Sequence, residues 1–186
     1  MGGTGSLGST GPNYGIGFDN GFSPRASASI DRDAGGAGNF ANEPSPSTIM
    51  IIPYHTSAVV DRFAGFSTGF SFWYSSGAFS GNVSVYDGLN ANGNLLGSIQ
   101  LPALGTNCVG DPGGAFCNWA IGLVTFAGVA RSIKFSGTAS QIGFDNLTFG
   151  ATAPVPEPSS AALLGLGLTG WAGLLWRRRG RRAAAG

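Results

Sequence analysis

Phe66, Thr68, Phe70, Phe72 and Tyr74 occupy every second position of one short stretch, with Ser67, Gly69, Ser71 and Trp73 between them. Successive side chains of an extended chain point to opposite faces, so this period of two describes a half-buried strand whose aromatic side makes a core. A helix, at 3.6 residues per turn, would scatter the same rings around its surface. The run AVVDRFAGFSTGFSFWYSS, residues 58–76, is therefore expected as one long strand.

The neighbouring segments repeat that grammar. STIMIIPY reads as a short apolar strand stopped by Pro53, because proline has no N–H for the ladder. Segments 82–86 and 95–101 form a hairpin around a turn crowded with Asp, Asn and Gly, and Leu95, Gly97, Ile99 and Leu101 carry the alternation on. NWAIGLVTF, ARSIKF and QIGFDNLTFG supply three more strands, and GIGFDNGFS at 15–23 an edge strand. Residues 1–47 are otherwise a Gly-, Ser- and Asn-rich segment, with a long loop over 31–47. Seven or eight strands with frequent turn signals, and no soluble helix, predict an all-β fold. The expected architecture is an antiparallel β-sandwich whose core domain spans 48–150. Gly-Phe-Asp-Asn occurs twice, at 17–20 and 143–146, either as strands that pair near the two ends of the domain or by chance in a glycine-rich chain.

Charge and cysteine usage narrow the function. Only 10% of the 186 residues are charged. Five of the ten basic residues follow Trp176 and all nine acidic residues precede it, which leaves the chain up to Trp176 at a net of −4, and nothing there suggests a nucleic-acid surface. Cys108 and Cys117 bracket VGDPGGAF, a spacing that a loop-closing disulfide can span in an oxidising compartment; two buried free thiols are the alternative.

Chemistry is sparse. A Ser-His-Asp arrangement needs a base between nucleophile and orienter, and His55, beside a proline-stopped strand, is the chain's single histidine. No Cys-His spacing suggests zinc, no phosphate-cradling loop precedes a helix, and the scattered acids single out no glycosidase pair. No enzyme activity and no cofactor are expected. Asp31, Asp33, Asn39, Asn42 and Glu43 are oxygen donors of the kind calcium takes, in no recognised spacing, and a solvated loop is the expected reading. Trp73, Tyr74, Tyr86, Asp87 and Asn90, with Asn92 and Asn94, provide aromatic platforms and hydrogen-bonding groups of the type that hold a glycan near one hairpin. The ordinary alternative is that Trp73 and Tyr74 divide between surface and core, and that the Asn-Gly positions only allow left-handed turns.

The end of the chain has three parts in a fixed order. A linker at 151–160 contains Val155, Pro156, Glu157 and Pro158; the two prolines prevent a helix from starting and present an extended peptide. Ala161 to Trp176 carries no charge and, at about 1.5 Å per residue, spans roughly 24 Å as a helix, a short single transmembrane span. Arg177, Arg178, Arg179, Arg181 and Arg182, in the basic tail 177–186, are expected to hold that end on the cytoplasmic side, so that Pro154 and everything before it lies across the membrane. Gly165, Thr169 and Gly173 align as one small-residue stripe, suited to helix packing or to a weak, disposable anchor.

This order resembles the PEP-CTERM tripartite sorting signal of bacterial envelope and extracellular proteins. The resemblance implies that Pro156, Glu157 and Pro158 are recognised by an exosortase, a membrane transpeptidase, as substrate residues. The order FSTGFSFWYSS, VSVYDGLNANGNLLGSI and ARSIKFSGTASQIGFDNLTFG before the tail is similar to PEP-CTERM proteins whose exported part is jelly-roll-like and related in outline to carbohydrate-binding modules. It implies passage through the inner membrane to the envelope or an extracellular polysaccharide matrix, with a calcium-assisted lectin-like module as the alternative. MGGTGSLGSTGPNYG has neither a basic n-region nor an apolar h-region, so the export signal is expected upstream of Met1 or already removed.

Overall fold

In the computed structural model, which describes residues 14–18, 26–109 and 115–151, the alternating segments form ten strands. They are β1 (Ile16–Gly17), β2 (Ser27–Ile30), β3 (Thr48–Ile51), β4 (Ser57–Phe66), β5 (Gly69–Ser75), β6 (Gly81–Tyr86), β7 (Leu95–Leu101), β8 (Trp119–Thr125), β9 (Ala130–Ser136) and β10 (Gly143–Phe149). Two five-stranded sheets result, ordered β1-β4-β9-β6-β7 and β2-β3-β10-β5-β8, with every strand pair antiparallel. The fold is the all-β, jelly-roll-like sandwich that the sequence predicts, and the described residues contain no helix. The expected membrane helix at 161–176 lies outside the described residues.

The core is aromatic because the period-two face is aromatic. Phe70, Phe72, Phe135 and Phe144 are fully buried between the sheets, and Tyr74 nearly so. Phe135 meets Phe144 edge to face at 4.8 Å between ring centres, and Phe66 meets Phe149 in the same way at 5.1 Å. Each buried ring contributes about 1.5–3 kcal/mol by leaving water, and each edge-to-face pair about 0.5–1.5 kcal/mol more. Val60, Val83, Val85, Leu101 and Ile133 fill the space between the rings.

Residues 58–76 are two strands rather than the single one expected. β4 belongs to the first sheet and β5 to the second, so the chain turns a corner at Ser67–Thr68 and crosses the sandwich. Thr68 takes φ +79°, and Gly65 just before the corner takes φ +73° with Val129 close above it. The Gly69 N–H donates to Ser67 O at 3.0 Å, and the Phe126 N–H donates to Thr68 O at 3.3 Å. Phe66 and Phe70 both reach the core across the corner, so the alternation keeps its phase while the strand does not continue. Among the described residues the two Gly-Phe-Asp-Asn copies belong to different sheets: Gly17 lies opposite Asp61 in the first, and Gly143 lies between Ile51 and Ser75 in the second.

Candidate functional site

The hairpin turn between β6 and β7 folds back over the outer face of the first sheet. Asp61 and Ser132 are cross-strand partners there, with Tyr86 next in the row, and both point away from the core. They are nevertheless buried, Asp61 at 1% exposure, because the turn covers them. Asn90 N–H donates to Asp61 Oδ1 at 2.8 Å, Ala91 N–H donates to Ser132 Oγ at 2.9 Å, and Ser132 Oγ–H donates to Gly88 O at 2.6 Å. Asn90 (φ +60°), Ala91 (φ +55°) and Gly93 (φ +82°) take the left-handed backbone that this tight return needs. Burial raises the pKa of Asp61, and the Asn90 N–H opposes that rise. Asp87, at the mouth of the turn, is held below the usual carboxylate range by the side chain and N–H of Asn94, at 2.9 and 2.7 Å.

The second sheet carries a different covering. Ser45 donates through N–H to Asp145 Oδ2 at 2.8 Å and through Oγ–H to Asp145 Oδ1 at 2.6 Å, which fastens the 31–47 loop to β10. Trp119 Nε1–H donates to Ala41 O at 3.0 Å, the Ala41 N–H donates to Phe116 O at 3.0 Å, and Asn42 Nδ2–H donates to Val109 O at 3.2 Å. Cys108 and Cys117 are disulfide-bonded with their Cα atoms 5.4 Å apart, so the bridge expected from their spacing holds this second anchor of the loop. Beneath the loop is a cavity of about 190 Å³ lined by Phe40, Ile49, Ile51, Phe116 and Ile142.

The residues singled out as a glycan platform are not brought together. Tyr74 is in the core, its hydroxyl donating to Pro102 O at 3.3 Å, and it offers no exposed ring. Trp73 is half-buried on the outer face of the second sheet, between Asp145 and Ile121. Tyr86, Asp87 and Asn90 belong to the turn on the first sheet. The division of Trp73 and Tyr74 between surface and core is what strand alternation requires.

Among the calcium-type donors, Glu43 Oε1 accepts the Ser47 N–H at 3.0 Å, and Asn42 is committed to Val109. No group of three or more His, Cys, Asp or Glu residues suited to a metal ion occurs among the described residues. His55 is exposed in the loop between β3 and β4. Sequence reasoning missed Asp61 and Ser45. A charge inside the apolar run AVVDRF was the available signal for Asp61; Ser45 gave none.

The chain divides into two units, Met1–Val155 and Pro156–Gly186. The linker residues Val155, Pro156, Glu157 and Pro158 and the five arginines lie outside the described residues. No curated protein matches the chain. Among solved structures, it is similar to a β-1,3-glucan-binding CBM6 from Bacillus halodurans, at 16% identity over 70% of this chain and 90% of that one, with a TM-score of 0.42. It is similar to a glycoside hydrolase family 43 arabinoxylan arabinofuranohydrolase from Bacillus subtilis, at 17% identity over 69% of this chain, with a TM-score of 0.40. The match spans a quarter of that enzyme, 25% of its chain. A third likeness, at 13% identity and TM-score 0.36, is to a carbohydrate-binding module of Cellvibrio mixtus lichenase 5A, covering 67% of this chain and 86% of that one. In sequence, residues 154–179 match the PEP-CTERM protein-sorting motif, so this chain carries, directly after its β-sandwich, the signal of an exported protein processed by an exosortase.

Proposed function

We propose that the protein is a non-enzymatic building block of the cell envelope or of an extracellular polysaccharide matrix. The sandwich is delivered across the inner membrane, held there by Ala161–Trp176 with Arg177, Arg178, Arg179, Arg181 and Arg182 on the cytoplasmic side, and separated from that tail near Pro156–Pro158. The observation that carries this reading is the sorting motif at 154–179, placed after the last strand has closed at Phe149. All ten strands of the described residues end before the motif begins, so a cut near Pro156–Pro158 leaves every one of them on the exported part. The disulfide suits the oxidising side of the membrane. His55, the one candidate base, stands exposed in a loop, which favours a structural or binding role over hydrolysis.

The test is processing in cells that contain the exosortase. Pro156→Ala with Glu157→Ala should leave the chain uncut in the membrane fraction, and deletion of 155–186 should abolish membrane retention altogether. An unchanged ratio of cut to uncut chain in the double variant would sink the sorting reading.

A second reading, a polysaccharide-binding module, is favoured by one observation: Trp73 presents a half-buried ring on an outer sheet face beside the exposed side chain of Ile121. Pull-down on insoluble polysaccharides, with and without calcium, should then show binding that Trp73→Ala removes. Equal retention of both forms would reject it.

A further inference from the structure

Among the described residues the two sheets have four edges, which differ in length. β1 has two residues and β2 four, whereas β7 and β8 have seven each. Exposed edges are ordinarily protected by brevity, Lys, Pro or a bulge, since their free N–H and C=O groups will pair with any strand that arrives. β7 has a register shift against β6 and carries Ser98 and Gln100. β8, WAIGLVT, has no charge, no proline and an unbroken seven-residue register with β5. Among the described residues, β5 is its single ladder partner. Its outward side chains include Ile121 at 52% exposure and Leu123 at 36%, flanked by Trp119 and Thr125.

We infer that β8 is a self-association edge, along which a second copy of this chain adds its own β8 antiparallel about a twofold axis at Gly122. The strand is complementary to itself in that register. Ile121 lies across from Leu123 of the second copy on the outer face, Trp119 across from Thr125, and Ala120 across from Val124 on the core face. These are apolar pairs and an aromatic–β-branched pair, the kinds that stabilise neighbouring strands. A twofold at Gly122 pairs all seven residues. A slip of one residue turns the partner's core-facing side chains to the outer face, and a slip of two leaves residues unpaired at each end. No charge on β8 opposes its own copy, and the paired edges join two sheets into one of ten strands. This goes beyond the sorting reading, which says where the domain travels and not what it meets.

The test uses full-length chains in detergent. Cys108 and Cys117 are paired, so an introduced cysteine is the one free thiol in the described residues. A mixture of Ile121→Cys and Leu123→Cys chains should cross-link between copies under mild oxidation, because directly opposed residues of antiparallel strands lie about 4.5–5.5 Å apart between Cα atoms, within disulfide reach. Tyr54→Cys, at an exposed loop position, should not. Ile121→Lys with Leu123→Lys should weaken self-association about tenfold or more, read by sedimentation, with an unchanged circular dichroism spectrum. A wild-type chain that is monomeric throughout would overturn the proposal. So would a double-lysine variant that associates like wild type, which assigns association to another surface such as the tail, or cross-linking no greater than that of Tyr54→Cys.

Discussion

Asp145 on β10 receives both the N–H and the hydroxyl of Ser45, at 2.8 and 2.6 Å, across a hundred residues of sequence. One carboxylate thereby fixes the covering loop of the second sheet and, through Oδ1, also accepts the Asn146 N–H at 2.7 Å where the strand bulges. Asp145→Ala would leave two buried donors of Ser45 unpaired. Hydrogen bonds to a charged group contribute about 1.5–3 kcal/mol each in net terms, so a loss of about 3–6 kcal/mol is expected. Ser45→Ala, which keeps the N–H bond, should cost about half as much, about 1.5–3 kcal/mol. Denaturant unfolding followed by tryptophan fluorescence would measure both. The larger loss should come with faster proteolysis within 31–47, and equal losses for the two variants would contradict this assignment.

The hairpin turn over the first sheet should respond to acid in two opposite ways. Asp61 has its pKa raised by burial, so its charged form opposes folding at neutral pH; that penalty is relieved as pH falls through the folded value toward the ordinary 3.8. Asp87 has its pKa lowered by Asn94, so its contribution is present above 3.8 and is lost as pH falls below that value through the folded one. Stability should therefore rise on mild acidification and fall at stronger acid. Asp61→Asn, whose side-chain carbonyl can still accept the Asn90 N–H, should flatten the first limb. Asp87→Ala should flatten the second. Denaturation midpoints measured across pH for the three chains would show it, and a rising limb that survives in Asp61→Asn would refute the assignment to Asp61.

Local periodicity was legible in the sequence, and tertiary placement was not. The alternation of Phe66, Phe70, Phe72 and Tyr74 identified the core face because side-chain direction in a strand is a local property. The corner between β4 and β5 was hidden because it rests on a threonine at φ +79°, a conformation that residue type does not announce. Cys108 and Cys117 were readable as a bridge because only nine positions separate them, while Ser45 and Asp145 have no spacing that a pattern could detect. The members of the glycan constellation stand apart for a related reason. Tyr74 and Tyr86 are near in sequence, but one faces the core and the other belongs to the opposite sheet.

Gly122 is a packing position, and its substitution should be felt in the core. The Phe72 ring lies directly against it, so a Cβ there would fall within the van der Waals envelope of the ring. Gly122→Ala must push Phe72 off its place between Phe70, Tyr74 and Phe135 and should destabilise by about 1–3 kcal/mol, the usual cost of overpacking. Phe72→Leu alone removes ring contacts and should also destabilise. The double variant should be less damaged than the sum of the two, since the smaller side chain gives the new methyl group room. A double-mutant cycle of unfolding free energies reads this coupling, and strict additivity would place the strain elsewhere.

Reduction of Cys108–Cys117 should act on the 31–47 loop as well as on its own. The bridge closes a loop of nine-residue separation, for which the chain-entropy model assigns about 2–3 kcal/mol. Phe116, next to the bridge, accepts the Ala41 N–H, and Trp119, two residues beyond it, donates to Ala41 O. Freeing Phe116 removes one wall of the cavity under the loop and one of the two anchors that meet at Ala41. A Cys108→Ser, Cys117→Ser chain should therefore unfold at lower denaturant and show faster amide exchange around Ala41 and Asn42, while Phe135 and Phe144 in the core stay protected. If exchange at Ala41 were unchanged, the loop would be held by Ser45 and Asp145 alone, and the stability loss would be confined to the cysteine loop itself.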